Sequence, residues 1–171
     1  MGAVIEFRLR VADAADRDAV FGLLKSAALW LRERGVDYWQ NWLDPPAHHI
    51  RWIDDGIAAG EFRVLESHGG TVGCVRVQDV DPLFWGESAG PAGYVHSLTV
   101  DRSLAGRGIG ARVLQMLERE LTLAGVRLLR LDCGESAAGL RRYYESLGFR
   151  PVGMTVVDGE SLVLYERLFG D

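Results

Sequence analysis

Cysteine is scarce, lysine is nearly absent and no long hydrophobic run occurs in this sequence. The two cysteines, Cys74 and Cys133, lie in the apolar runs TVGCVRV and LLRLDCG, which argues for buried free thiols rather than a disulfide or a metal site. A reducing, cytoplasmic setting fits. Lys25 is the only lysine, and a net charge of −5 argues against a basic face on which nucleic acid would release counterions. Any anionic ligand must therefore be bound locally. No stretch approaches the roughly 18 apolar residues that a transmembrane helix needs. The start, MGAVIEFRLRVADAADRD, lacks a basic segment followed by an apolar core, so no signal peptide and no membrane partner are expected. Glu6 also stands where a myristoylation motif wants Ser or Thr.

What is present, 171 residues of which 48% are hydrophobic, suffices for one domain with a substantial core, spanning 1–171. IEFRLRVAD alternates like a strand. DAADRDAVFGLLKSAALWLRERG then places Val20, Leu23, Leu24, Ala27, Ala28 and Leu31 at helical spacing and stops at Gly35. IRWIDDGIAAGE reads as a second helix ending at Gly60. EFRVLES and TVGCVRVQDV, joined at His68-Gly69-Gly70, read as an antiparallel hairpin. After the loop DPLFWGESAGPAG come the strand YVHSLTV, a glycine turn, a helix to about Ala124, and the strand VRLLRLDCG. A further helix, AAGLRRYYESLGF, precedes a terminal hairpin formed by RPVGMTVVDG and ESLVLYERL. The order β-α-α-β-β-β-α-β-α-β-β predicts an α/β fold, a mixed central sheet of about seven strands with about four helices.

The most informative stretch is LAGRGIGARVLQMLERE. Ile109, Val113, Leu117 and Leu121 recur every four residues, so this helix lays one side on a sheet. Its first turn leaves N–H groups unpaired and carries roughly half a positive charge, and Gly106, Gly108 and Gly110 remove the side chains that would keep a ligand away. That is a phosphate-sized anion site, or a bare strand-to-helix turn. Ala111 and Arg112 follow Gly110 where a Walker loop needs Lys and then Ser or Thr. A dinucleotide fold is also a poor match, because GRGIG lacks the G-x-G-x-x-G spacing and follows an antiparallel hairpin.

Three stretches, YVHSLTVDRSLAGRGIGARVLQMLERE, VRLLRLDC and LRRYYESLGFRPVG, together resemble the GNAT superfamily of N-acetyltransferases, with element order matching from about residue 7 to 168. The resemblance implies a sheet splayed between strands four and five, with acetyl-CoA or another acyl-CoA as co-substrate. It implies that Leu98, Thr99 and Val100 meet the pantetheine arm through their backbone. Ala105, Gly106, Arg107, Gly108, Ile109, Gly110 and Ala111 would receive the pyrophosphate, and Ala137, Leu140 and Tyr144 would complete the cofactor contacts. Ala105 stands where the family prefers Arg or Gln, and Ala137 where it often has Asn.

The implied chemistry makes its own demands. A primary amine with a pKa of about 10.4 is neutral in roughly one part in 2,500 at pH 7, so its nucleophilic form costs about 4.6 kcal/mol without a base or a desolvating pocket. The departing thiolate gains from a proton donor. By the family's Y-x-x-x-G-F pattern, Tyr144 is the expected donor. Leu140, Tyr144 and Leu147 also share a helical stripe, which would equally make Tyr144 a core aromatic. His96 is the candidate base, since an imidazole titrates near neutrality. Its segment resembles serotonin N-acetyltransferases, in which strand histidines handle the amine's proton, and Tyr94 stands where those have a second histidine. Glu61, Asp79 and Asp81 are the alternatives.

For the acceptor, Trp39, Trp85, Asp79 and Asp81 combine aromatic faces with negative charge, as suits a cationic amine of a small molecule or peptide. Asp79 and Asp81 have no third ligand at metal spacing, so no metal is expected. A catalytically weak acyl-CoA-binding or sensing domain is the second reading, motivated by Ala105 and Ala137. The sequence leaves oligomeric state open, with the terminal hairpin as the element that would contribute to a homodimer.

Overall fold

A computed structural model describes residues 6–87 and 89–170. It contains seven strands, β1 (Arg8–Val11), β2 (Phe62–Ser67), β3 (Gly70–Gln78), β4 (Gly93–Val100), β5 (Leu128–Gly134), β6 (Arg150–Val157) and β7 (Glu160–Leu168). The helices are α1 (Arg17–Glu33), α2 (Ala47–Ala58), α3 (Pro82–Trp85), α4 (Ile109–Leu123) and α5 (Ala138–Ser146). The strands pair in the order β1-β2-β3-β4-β5-β7-β6, a mixed sheet as predicted. Helix α3 is the addition, a single turn inside the predicted loop. Pro82 supplies the fixed φ that suits a first helical position, and the Asp81 side chain caps the Phe84 amide.

Both predicted hairpins form, each on a two-residue turn with both φ angles positive: His68 and Gly69 between β2 and β3, Asp158 and Gly159 between β6 and β7. Such turns match the twist of the strands they join. The parallel pairing of β4 with β5 covers Gly93–Val95 against Leu129–Leu131 and ends there, in keeping with the expected parting of these two strands.

By packing, the chain divides into two compact units, Met1–Arg76 with Ser97–Val113, and Val77–His96 with Leu114–Asp171. The first unit has a core of Val20, Leu24 and Ala28 from α1, Ile53 and Ile57 from α2, and Phe62, Val64 and Cys74 from the strands. Helix α1 is preceded by a reciprocal cap between Asp13 and Asp16, and Arg10 holds the Asp16 carboxylate through two hydrogen bonds of 2.8 and 2.9 Å. The Arg10 guanidinium thereby holds that carboxyl below the usual carboxylate range. Strands β3 and β4 approach closely in this unit. A Cβ on Gly73 would lie 3.0 Å from the Thr99 carbonyl oxygen.

The second unit packs Leu114, Leu117 and Leu121 of α4 among its buried residues, with Leu129, Leu131 and Cys133 of β5. Leu121 and Leu129 fill the space over Gly93, where an added Cβ would meet Leu121 Cδ1 at 2.4 Å. Tyr144, Phe149 and Tyr165 form an aromatic cluster with centroids 5.8 and 6.5 Å from Tyr144. Among the described residues no helix is long and apolar enough to cross a membrane.

Candidate active site

In the first unit, strand β4 ends at Val100 and the chain is pinned there by the Asp101 amide, which donates to the Val72 carbonyl at 2.8 Å. A 3₁₀ turn, Arg102–Leu104, carries it to Ala105 and the glycines. Gly106 and Gly108 have φ angles of 74° and 70°, and no heavy atom lies within 4 Å of where either would carry a Cβ. Both facts favour glycine: the backbone angle is costly for other residues, and the vacated space is open. The Arg112 amide donates to the Gly108 carbonyl at 3.1 Å, so the amides of Ile109, Gly110 and Ala111 precede the first helical bond of α4. The first turn of α4 thus offers a positive end behind an open loop, which fits a pyrophosphate. Ala105, Arg107 and the two glycines are exposed, Gly110 and Ala111 half-buried and Ile109 buried.

Leu98 and Val100 are half-buried and Thr99 is buried. Just before them, Ser97 has a φ of 54°, a left-handed conformation inside a strand with no local signal for it. Its carbonyl accepts from Thr99 Oγ1 at 3.1 Å and from Cys74 Sγ at 3.6 Å. Burial pushes the Cys74 thiol up to about 12, so it stays protonated in this role.

In the second unit, His96 is 8% exposed and its Nε2 lies 2.7 Å from Asp81 Oδ2. Its Nδ1 lies 3.4 Å from Asp132 Oδ1, and the Phe84 ring packs 4.6 Å from the imidazole. Asp81 is thus brought to His96. Asp79 is exposed, and Glu61 accepts from Arg76 at 2.8 and 2.5 Å, tying it to a buried guanidinium in the first unit. Asp132 is the residue that reading the sequence missed. The available signal was a lone carboxylate inside the apolar run LLRLDCG. Burial and Asp81 raise its carboxyl to about 6, against the lowering effect of His96.

Tyr144 lies on the buried side of α5 and is 6% exposed. Burial, above all, pushes its phenol well above the ordinary tyrosine range, with smaller contributions from Cys133, Tyr143 and Asp132. A phenol held so firmly protonated does not act as a base, and a free phenolate at this position is disfavoured. Ala137 caps α5 without a side-chain hydrogen bond and is buried, and Leu140 is half-buried. Trp85 meets Tyr94 edge to face, with ring centroids 5.8 Å apart, and lies under the Arg130 guanidinium, so it is held by its own neighbours. Trp39, in the first unit, packs against the core with a φ of 64°, beside Tyr38.

The start of α4 carries an open glycine turn, and α5 carries a buried tyrosine. Residues 23–149 match the model of the acetyltransferase (GNAT) family, and the chain belongs to that family. It is 30% identical over 157 residues to the uncharacterized N-acetyltransferase YesJ of Bacillus subtilis, covering 89% of this chain and 84% of that protein. A GNAT-family acetyltransferase from Listeria monocytogenes superposes with a TM-score of 0.78 at 26% identity, covering 99% of this chain and 98% of that one. The Salmonella typhimurium protein yncA, described as an acetyltransferase and solved with its cofactor acetyl-CoA, gives a TM-score of 0.68 at 19% identity over 97% and 95% of the two chains.

Proposed function

We propose that this protein is an N-acetyltransferase that moves the acetyl group of acetyl-CoA directly to a primary amine of a small molecule or peptide. The observation that carries the reading is the glycine turn: two positive-φ glycines over open space, directly before the unpaired amides of α4. The family match runs across both packing units, which supports reading 1–171 as one acetyltransferase domain. The buried free thiols Cys74 and Cys133 support a cytoplasmic location.

We assign the pyrophosphate to the amides of Gly106–Ala111, with Ala105 and Arg107 beside them, and the pantetheine arm to the backbone of Leu98–Val100. Acetyl-CoA, when bound, supplies an activated thioester whose C–S bond breaks as the amide C–N bond forms. The protein's residues manage protons. His96 takes the proton that makes the amine nucleophilic. The Tyr144 hydroxyl gives a proton to the departing sulfur as it regains one from the amide nitrogen, so no free phenolate forms. Ala137 and Leu140 lie on the same helical segment as Tyr144 and are assigned to the cofactor. Asp79, Trp39 and Trp85 are assigned to the acceptor, Asp79 being the exposed carboxylate among them.

The test is Tyr144→Phe, assayed by thiol release from acetyl-CoA over a panel of amines. Turnover should fall by roughly 10²-fold or more, with the melting temperature and the KM for acetyl-CoA nearly unchanged. Unchanged turnover sinks the Tyr144 assignment. Binding of acetyl-CoA by the wild type with no thiol release for any amine overturns the enzyme reading in favour of an acyl-CoA sensor.

A further inference from the structure

His96 faces a carboxylate at each ring nitrogen. Asp81 Oδ2 is 2.7 Å from Nε2 and Asp132 Oδ1 is 3.4 Å from Nδ1, with side-chain exposures of 4%, 7% and 8% for Asp81, His96 and Asp132. Each member is fixed by a different part of the second unit. The second carboxylate oxygen of Asp81 accepts the Phe84 amide at 3.3 Å, so the group cannot turn without uncapping α3. Asp132 is delivered by strand register. Tyr94 lies opposite Arg130 and Val95 opposite Leu131, and the next neighbours on the face shared by Tyr94 and Arg130 are His96 and Asp132.

Asp132 Oδ1 is buried and makes no hydrogen bond among the described residues. A carboxylate oxygen left so is costly unless a proton or a cation comes to it, and the nearest source is the imidazole. Burial and the charges of Asp81 and Glu160 bring the Asp132 carboxyl to about 6, beside an imidazole whose ordinary value is about 6.5. Two groups so matched share a proton at little cost and titrate as a pair. The remaining titratable neighbours of Asp132, Cys133 and Tyr144, are both pushed upward by burial and stay neutral.

We propose that Asp81, His96 and Asp132 act as one proton-holding unit, with Asp81 fixing Nε2–H and Asp132 serving as the positioning residue for Nδ1. The proposal rests on the reading of His96 as base. One proton leaves the amine nitrogen, is held between Nδ1 and Asp132 Oδ1, and passes to solvent, while the Nε2 proton remains on the Asp81 side. No group changes oxidation state.

The test uses Asp132→Asn and Asp81→Asn in the full chain, with two readouts: the NMR titration of the His96 ring without substrate, and the acid limb of kcat/KM against pH. Removing the charge opposite Nδ1 should lower the His96 midpoint by roughly one pH unit or more, and the acid limb should move down with it. Asp81→Asn should lower the midpoint as well, which keeps the proposal testable if one variant folds poorly. A His96 midpoint that stays put in both variants overturns the proton-holding unit. A midpoint that moves while the acid limb does not leaves the unit standing and overturns the assignment of His96 as base.

Discussion

Replacing Gly108 with alanine tests the cofactor loop against a matched control elsewhere in the same unit. Gly108 has a φ of 70° and Gly35, just past the end of α1, has a φ of 69°, and at both an added Cβ meets nothing within 4 Å. The backbone penalty is therefore the same for the two alanines, about 1–2 kcal/mol for a left-handed residue with a side chain. For a chain of this size that lowers the melting temperature by roughly 2–8 °C. The ligand separates them. Acetyl-CoA at 100 times the wild-type Kd stabilises by about 2.7 kcal/mol, and a tenfold loss of affinity reduces that to about 1.4 kcal/mol at the same concentration. Gly108→Ala puts a methyl group where the pyrophosphate is assigned, so its protection should fall at least that far. Gly35→Ala should keep the full protection. The assay is a thermal melt of the three proteins with and without acetyl-CoA. Equal protection in all three, or equal loss in both variants, refutes the placement of the cofactor on this turn.

Gly93→Ala should destabilise the protein by about 1–3 kcal/mol without a change in cofactor affinity, because its methyl would collide with Leu121 Cδ1 at 2.4 Å in a packed interior; urea unfolding measures it. Asp132 gives stability a pH dependence. Its carboxyl is raised from 3.8 to about 6 in the folded protein, so the native state binds more protons than the unfolded one between those values. Stability from this group therefore falls as pH rises from about 4 to about 6 and is level above. Urea melts of Asp132→Asn at pH 4 and pH 7 should lack that part of the decline, and identical slopes for variant and wild type would contradict the burial argument.

Much of the architecture was legible in the chain because it depends on local patterns. Helix α1 follows from apolar spacing and the glycine stop at Gly35. Both hairpins follow from turn residues that tolerate positive φ, and the open turn before α4 follows from glycines that leave the helix amides uncovered. Helix α3 was missed because a single turn has no periodicity to read; its Asp81 cap and Pro82 were the only signs.

The environment of His96 was decided elsewhere. Its sequence separation from Asp81 and Asp132 says nothing about distance, whereas the register of β4 against β5 and the cap on α3 place both carboxylates on its ring. Glu61 and Asp79 looked equivalent to Asp81 as acidic candidates, and burial with partners separated them: one tied to Arg76, one exposed, one on the imidazole. Sequence thus determined where helix amides are left uncovered, since backbone amides and missing side chains are local properties. Only the tertiary structure decided which groups share a proton, because charge coupling depends on distance and burial through space.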